Sequence, residues 1–164
     1  MASPTYRVPM RRRREGKTDY RRRKSLLRSG KPRAVVRRSL KYVTVQFVAN
    51  GPGGDRVLAA SSSRELPTLG WKAGCSSTTA SYLAGYLAGK RAVKKGISSA
   101  VLDIGLQTPT KGGVVFAALR GLLDAGIEMP HDPEVLPSDE RLASATKAGT
   151  SAIEETRSRI EEVL

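Results

Sequence analysis

The residues best able to do chemistry in this sequence are arginines, arranged in uninterrupted runs at 11–14 and 21–23. Tyr20 directly precedes the second run. A planar guanidinium forms paired hydrogen bonds with phosphate oxygens and stacks on bases, and a tyrosine ring offers a further stacking surface. The pattern therefore predicts binding to a polyanion, and the stacking groups favour RNA.

Positive charge is concentrated in the first quarter of the chain. Residues 1–41 contain 16 lysines and arginines against two acidic residues, whereas residues 42–164 contain 13 basic and 13 acidic residues. A charge this concentrated is more than solubility requires and predicts a polyanion-binding surface. Because closely spaced like charges repel, we expect an arm that is disordered or only partly helical until it meets its partner. A solvated tail and a nuclear-import signal are the alternatives.

Few other side chains have the pattern of a catalytic or metal site. Cys75 is the only cysteine, and His131, the only histidine, lies in a proline-flanked turn far from it in sequence. These residues predict no disulfide, no zinc site and no Cys/His or Ser/His/Asp arrangement. Asp103 lies on a predicted buried strand, but a two-metal nuclease needs several converging carboxylates, and the other predicted strands have none. We therefore expect no enzyme activity, metal, cofactor or small-molecule substrate.

The loop before the second predicted helix is a further candidate for phosphate binding. Lys111 precedes Gly112 and Gly113 there, which is not the Gly-Lys-Ser/Thr order of a nucleotide-binding loop. Two readings stay open: the lysine and the helix N-terminus hold one RNA phosphate, or the segment is a plain turn.

Hydrophobic periodicity predicts the strands that must position these residues. Short apolar or alternating runs indicate strands over 34–38, 42–48 and 56–60, joined as an antiparallel meander. The alternation places Val43, Val45 and Phe47 on one face of the middle strand. This face needs to be covered by other elements.

Two helices and a fourth strand follow. The spacing predicts a helix over 79–95, a buried strand over 100–104 reached by a parallel crossover, and a helix over 114–125. Gly85 and Gly89 lie one turn apart in the first helix, and we expect them to permit close approach to the sheet. The order of elements predicts an α/β fold with a mixed sheet.

The remaining segments are a polar link and an acidic tail. The link, 61–75, holds Trp71, which is predicted either to stack on a base or to fill the edge of the core. From Asp132 onward there are eight acidic and four basic residues, and short helices are predicted over 139–147 and from Thr150 or Ser151 to Leu164. This tail is expected to dock loosely, to bind a basic partner, or to remain a solvated helix.

Three regions result: a basic arm at 1–33, an α/β domain at 34–131 and an acidic helical extension at 132–164. No apolar run approaches the ~20 residues that cross a bilayer. The N-terminus lacks the apolar centre of a secretory signal, so we expect the chain in the cytosol or in a folded complex there.

Several segments resemble a known family. They are GKTDYRRRKSLLRSGKPRAVVRRSLKYVTVQFV at 16–48, GWKAG at 70–74, AGYLAGKRAVKKGISSAVLDIGL at 84–106 and VFAALRGLLDAGIEMPH at 115–131. These segments are similar to the archaeal and eukaryotic-type form of large-subunit ribosomal protein eighteen, a family that binds 5S rRNA. The resemblance runs from about Arg11 to Pro137, and the last 27 residues match less clearly.

The resemblance implies a three-layer α/β unit of RNase H-like topology without an active site. It implies a structural protein of the cytoplasmic ribosome, whose arm lies on 5S rRNA and reaches 23S rRNA at the central protuberance. Large-subunit ribosomal protein five is the implied protein neighbour. A non-specific nucleic-acid packaging protein and an RNase H-like nuclease are the alternatives.

The predicted RNA-binding residues come from the resemblance and from the charge. Those carried over from the family motifs are Lys17, Tyr20, Arg21, Arg22, Arg23, Lys31, Arg33, Arg37, Arg38, Trp71 and Lys72. Those that the charge pattern adds are Arg11, Arg12, Arg13, Arg14, Lys24, Arg28 and Lys41, and the loop before the second predicted helix adds Lys111.

Overall fold

The computed structural model describes residues 5–144 and 149–163. In chain order its elements are α1 (Arg11–Arg14), α2 (Tyr20–Leu27), β1 (Arg33–Arg38), β2 (Val43–Gly51), β3 (Gly54–Ser62), a 3₁₀ helix (Ser63–Leu69), α3 (Thr78–Lys94), β4 (Val101–Asp103), α4 (Val114–Asp124), a 3₁₀ turn (Pro133–Val135), α5 (Asp139–Ser144) and α6 (Gly149–Val163). None of the described helices is long and apolar enough to cross a membrane.

The four strands form one mixed sheet in the order β3-β2-β1-β4. β1 and β3 both pair antiparallel with β2, and β4 pairs parallel with β1 after the crossover through α3. The predicted fold class, a mixed sheet flanked by helices, is confirmed.

One face of the sheet carries the main core. Val36 of β1 pairs with Val45 of β2, and Val43, Val45 and Phe47 are fully buried, as the alternation predicts. The pairing of β2 with β3 shifts between Phe47 and Val48, and Val48 is buried as well. A bulge breaks the strict two-residue period at this point.

α3 and α4 cover this apolar face and pack closely on each other. A side chain at Gly85 would overlap the carbonyl of Ala118, and one at Gly89 would overlap the Ala125 methyl group. Gly121 makes the same close contact in the other direction, against the backbone of Tyr82. The prediction that Gly85 and Gly89 approach the sheet is therefore wrong: they admit α4, because residues one turn apart line one side of a helix.

A second core cluster lies where α6 and the first 3₁₀ helix meet α3. It contains Trp71 together with Tyr86 of α3 and Ile153 and Ile160 of α6. Ile160 is fully buried and Trp71 is 3% exposed. The acidic tail therefore does not dock loosely, because its apolar residues complete a core.

Polar and charged contacts join the C-terminal half of α6 to α3. The Tyr86 hydroxyl donates a hydrogen bond to Glu161, which also pairs with Lys90 at 3.2 Å. The Arg157 guanidinium lies 4.7 Å from the centre of the Tyr86 ring, a cation–π contact. The end of the helix predicted over 139–147, and Leu164, lie outside the described residues.

Candidate nucleic-acid interface

The basic N-terminal segment is partly helical, in α1 and α2. Asp19 caps α2, since its Oδ1 atom accepts hydrogen bonds from the backbone amides of Arg21, at 2.9 Å, and Arg22, at 3.2 Å. The short α1 forms one turn of four arginines just before it. The basic arm predicted from the charge is not confirmed as an extension separate from the domain. A local cap starts a helix within this segment, which the prediction allowed to be partly helical.

α2 has one face toward the domain and one toward solvent. Arg23, Leu26 and Leu27 are partly buried, whereas Arg21 and Lys24 are exposed. Since residues three and four apart share a face of a helix, the run 21–23 is divided between two surfaces. The consecutive arginines therefore do not share one role.

Within the part of the chain that the structure describes, two side-chain contacts attach α2 to the domain. The Arg22 guanidinium donates to the carbonyl oxygen of Gly105, after β4, at 3.1 Å. The Arg23 guanidinium pairs with the carboxylate of Asp55, near the start of β3, at 2.8 Å. The basic helix is thus held against both the β2–β3 hairpin and the loop that follows β4.

Arg33 is buried inside a network of carboxylates. Its side chain is 3% exposed, with Nη1 at 2.7 Å from Asp103 Oδ2 and Nη2 at 2.9 Å from Asp55 Oδ2. Burial at this level is tolerated for a guanidinium only when it is paired. Arg33 was predicted to bind RNA, but it is enclosed by the fold and offers no exposed group to a ligand.

Asp103 joins this network to the exposed Arg37. Its Oδ1 atom accepts hydrogen bonds from Arg37 Nη2, at 3.1 Å, and from the Gly105 amide, at 2.9 Å. The Asp103 backbone carbonyl accepts another from Arg37 Nη1 at 2.7 Å. These bonds fix Arg37, whose side chain remains 45% exposed.

The arginines keep both carboxylates ionised. Burial alone would raise the pKa of Asp103, but the Arg37 charge and hydrogen bonds from Gly105, Arg37 and Arg33 outweigh it and hold the pKa below its usual value. Burial likewise opposes ionisation of Asp55, and hydrogen bonds from Arg23 and Arg33 lower its pKa. Both Asp103 oxygens are occupied by arginines or a backbone amide. Within the described residues, no group of three or more potential metal-binding side chains accompanies it.

The turn between β1 and β2 presents further cations. The Ser39 amide donates to the Tyr42 carbonyl at 2.8 Å, and the Tyr42 amide donates to Ser39 Oγ at 3.0 Å. This tight turn leaves Arg38 and Lys41 exposed and Leu40 96% exposed. Arg38 also lines a cleft of about 570 Å³ beside the loop that follows β4.

Basic residues from separate segments meet around Leu106. Leu106 lines the cleft beside Arg38 and two neighbouring pockets that residues of α1 and α2 also line. We call this surface the basic face. Its basic members are Arg12, Arg13, Lys17, Arg21, Arg22, Arg23, Arg37, Arg38 and Arg141, and the carboxylates of Asp19 and Asp103 also line it. Tyr20, partly buried, lies at the edge of the same pocket as Arg13 and Arg21. The tertiary fold therefore joins the arm to the end of β1.

Most of the predicted RNA-binding cations, on the basic face and outside it, are exposed to solvent. In the part of the chain that the structure describes, the following exposed side chains have no carboxylate partner: Arg13, Arg14, Arg21, Lys24, Arg28, Lys31, Arg38, Lys41 and Lys72. Glu15 forms ion pairs with both Arg11 and Lys17. A surface of unneutralised guanidinium and ammonium groups favours a polyanionic ligand.

Trp71 and Lys111, both predicted site residues, have partners within the protein. Trp71 belongs to the second core cluster, so of the two roles left open by the sequence the structure gives it the one in the core. Lys111 pairs with Glu134 at 2.8 Å, and both side chains are exposed. The neighbouring Gly112 carbonyl accepts a hydrogen bond from Arg141 Nε at 2.8 Å, and the phosphate contact at Lys111 stays a prediction.

Sequence reasoning missed two participants. Arg141 of α5 lines the cleft beside Arg38, although it belongs to a segment with net negative charge. Asp55, the second residue of β3, follows a glycine-rich turn, and the sequence gave no signal of its pairing with Arg23 and Arg33. Neither is detectable from local composition, because both contacts join residues far apart in sequence.

Comparison with known proteins accords with this geometry. Residues 4–100 and 94–132 match the family described as "Ribosomal large subunit proteins 60S L5, and 50S L18". This chain belongs to that family. The family resemblance predicted from the motifs is thereby confirmed, and the family is one of ribosomal proteins rather than enzymes.

Individual relatives carry the name large ribosomal subunit protein uL18. The protein from Aeropyrum pernix is 59% identical over 140 residues, covering 85% of this chain and 65% of the relative. That from Caldivirga maquilingensis is 54% identical, covering 86% and 69%. That from Korarchaeum cryptofilum is 52% identical, covering 85% and 72%. The chain thus spans about two thirds of the length of these relatives.

Proposed function

We propose that this chain is a structural constituent of the large ribosomal subunit in the cytoplasm. In this proposal it binds 5S rRNA through the basic face and attaches it to 23S rRNA at the central protuberance. The observation that carries the proposal is the meeting of arginines from α1, α2 and β1 on one face. Among the described residues, no carboxylate forms an ion pair with Arg13, Arg21 or Arg38. Membership of a ribosomal large-subunit family supports it.

The physical mechanism is recognition of folded RNA by a rigid charged surface. Arg37 and Arg38 extend from a sheet, and α2 presents Arg21 and Lys24 on its exposed side. Guanidinium groups bind phosphates in pairs of hydrogen bonds and stack on unpaired bases. Because the deep groove of A-form RNA is poorly accessible to side chains, specificity comes from the shape of the RNA and from its loops.

The proposal also covers a protein neighbour and the choice of residues in the RNA interface. Large-subunit ribosomal protein five is the proposed neighbour, since it too is expected to bind 5S rRNA. Trp71 and Arg33 are left out of the RNA interface because both are buried. In their place, Arg141 joins the interface at the cleft beside Arg38.

A competition titration tests the proposal. Labelled 5S rRNA is bound to the full chain and displaced by unlabelled 5S rRNA or by a random RNA of equal length at matched salt. We expect 5S rRNA to compete more strongly, because its folded shape fits the face. Equal competition by the random RNA would instead identify a non-specific packaging protein.

The salt dependence of the same complex tests the electrostatic part. If about eight phosphates are neutralised, the logarithm of the binding constant falls with the logarithm of the salt concentration with a slope of about −6 to −7. A slope near −1 would contradict an interface built from the basic face.

A further inference from the structure

One carboxylate, Asp55, makes one of the two side-chain contacts described above between α2 and the domain. Asp55 Oδ1 accepts a hydrogen bond from Arg23 Nη2 at 2.8 Å, and Asp55 Oδ2 lies 2.9 Å from Arg33 Nη2. Asp55 thus lies between a cation of the N-terminal helix and a buried cation of β1. It is also 31% exposed, so solvent reaches this carboxylate.

The other end of this network is anchored in the sheet. Arg33 is locked to Asp103, which pairs with Arg37 and the Gly105 amide. The Gly105 carbonyl in turn receives Arg22 of α2. Ion pairs therefore connect α2, β3, β1 and β4 from Arg23 to Asp103, and the Gly105 backbone completes the connection from Asp103 back to α2. Such a connected network restricts the orientation of the helix more than an isolated surface ion pair does.

We propose that Asp55 is a positioning residue for RNA binding: it holds α2 against the domain so that Arg21, Lys24 and Arg28 face outward. This inference rests on the proposed function. Without the anchor, α2 would have to be ordered during binding, and that loss of conformational freedom would lower affinity.

The sign of the effect separates positioning from simple charge. A carboxylate beside a phosphate-binding surface repels the RNA, so its removal should tighten binding if only net charge matters. Removal should also tighten binding if Asp55 merely occupies Arg23 until a phosphate replaces it. The positioning role predicts the opposite, because a looser helix presents its cations less well.

The experiment compares Asp55→Asn with Glu15→Gln in the full chain, titrated with 5S rRNA at fixed salt. Both variants lose one negative charge near the basic segment. Glu15 pairs only with Arg11 and Lys17 among the described residues and makes no contact that attaches α2 to the domain. We expect about five- to tenfold weaker binding for Asp55→Asn, or ~1–1.4 kcal/mol, and unchanged or tighter binding for Glu15→Gln.

Hydrogen exchange of the free proteins supplies a readout that does not depend on RNA. Asp55→Asn should accelerate exchange of the α2 amides while the amides of β2 and α3 stay protected. Asp55→Glu, which keeps the carboxylate, should recover part of both properties. Accelerated exchange throughout the core would indicate general destabilisation and overturn the positioning role.

The outcomes distinguish the two proposals. If the parent chain binds 5S rRNA no better than random RNA, the proposed function fails. If the parent chain binds 5S rRNA specifically and Asp55→Asn binds equally or more tightly, the positioning role alone is refuted.

Discussion

Replacing Asp103 with Asn removes a charge from the buried network while keeping the size of the side chain. The Asp103 and Arg33 side chains are 9% and 3% exposed, and their charged atoms lie 2.7 Å apart. Breaking a buried ion pair on one side costs about 3–5 kcal/mol, because the other charge is left in a poor solvent. Asp55 still lies 2.9 Å from Arg33, so we expect the lower end, about 3 kcal/mol of unfolding free energy.

The pH dependence of this loss follows from the lowered pKa of Asp103. A carboxyl with a lowered pKa stabilises the fold fully above its unfolded pKa of about 3.9, and this contribution is lost as pH falls through the folded value. The stability difference between the parent and Asp103→Asn should therefore be constant near pH 7 and shrink below about pH 4. The opposite trend, a difference that grows on acidification, would mean that the carboxylate is not stabilised by the arginines.

Urea unfolding followed by tryptophan fluorescence measures these values. Trp71 is buried at 3% exposure, so its emission reports the folded core. Glu128→Gln is the matched control, because this exposed side chain has no ion-pair partner among the described residues. If Asp103→Asn unfolds within 0.5 kcal/mol (about the effect of an ordinary surface substitution) of the parent at pH 7, the reasoning about the buried pair is refuted.

Three further predictions concern the helices and the interface. Gly121→Ala should destabilise the fold by about 2–3 kcal/mol in urea unfolding because its new methyl group overlaps the α3 backbone, while Gly53→Ala, in open space, should be near neutral; equal effects would deny the close packing. Ile160→Ala should lower the free energy of unfolding by about 2–4 kcal/mol and shift the fluorescence emission of Trp71, in the same cluster, to longer wavelength. Unchanged emission and stability would mean that α6 is not docked. Arg28→Ala should reduce the magnitude of the salt slope for 5S rRNA binding by about one, whereas an unchanged slope would exclude a phosphate contact there.

The elements of the domain were predictable because their signals are local. The alternation at Val43, Val45 and Phe47 marks a half-buried strand, and these residues are buried as expected. Helix α3 begins at Thr78 beside a serine cap and ends before Gly96, close to the predicted limits. The 3₁₀ helix at Ser63–Leu69, within 61–75, was missed, since its seven residues are too few to show an apolar period.

The roles of individual cations were less predictable. Arg33 looks like its neighbours Arg37 and Arg38 in sequence, yet it alone of the three is buried. The difference arises because Arg33 meets Asp55 and Asp103, which are 22 and 70 residues away. The charge composition gives the number of these acidic and basic groups but does not predict which of them form ion pairs.

The sequence by itself determined the strand and helix pattern, the family and the concentration of positive charge near the N-terminus. Each of these depends on residue types or on spacing along the chain. Only the tertiary structure decided which arginines face solvent, that Trp71 and α6 build a second core cluster, and that Asp55 holds α2 on the domain. These outcomes depend on contacts between distant segments, whose distances in space are set by packing and not by position in the chain.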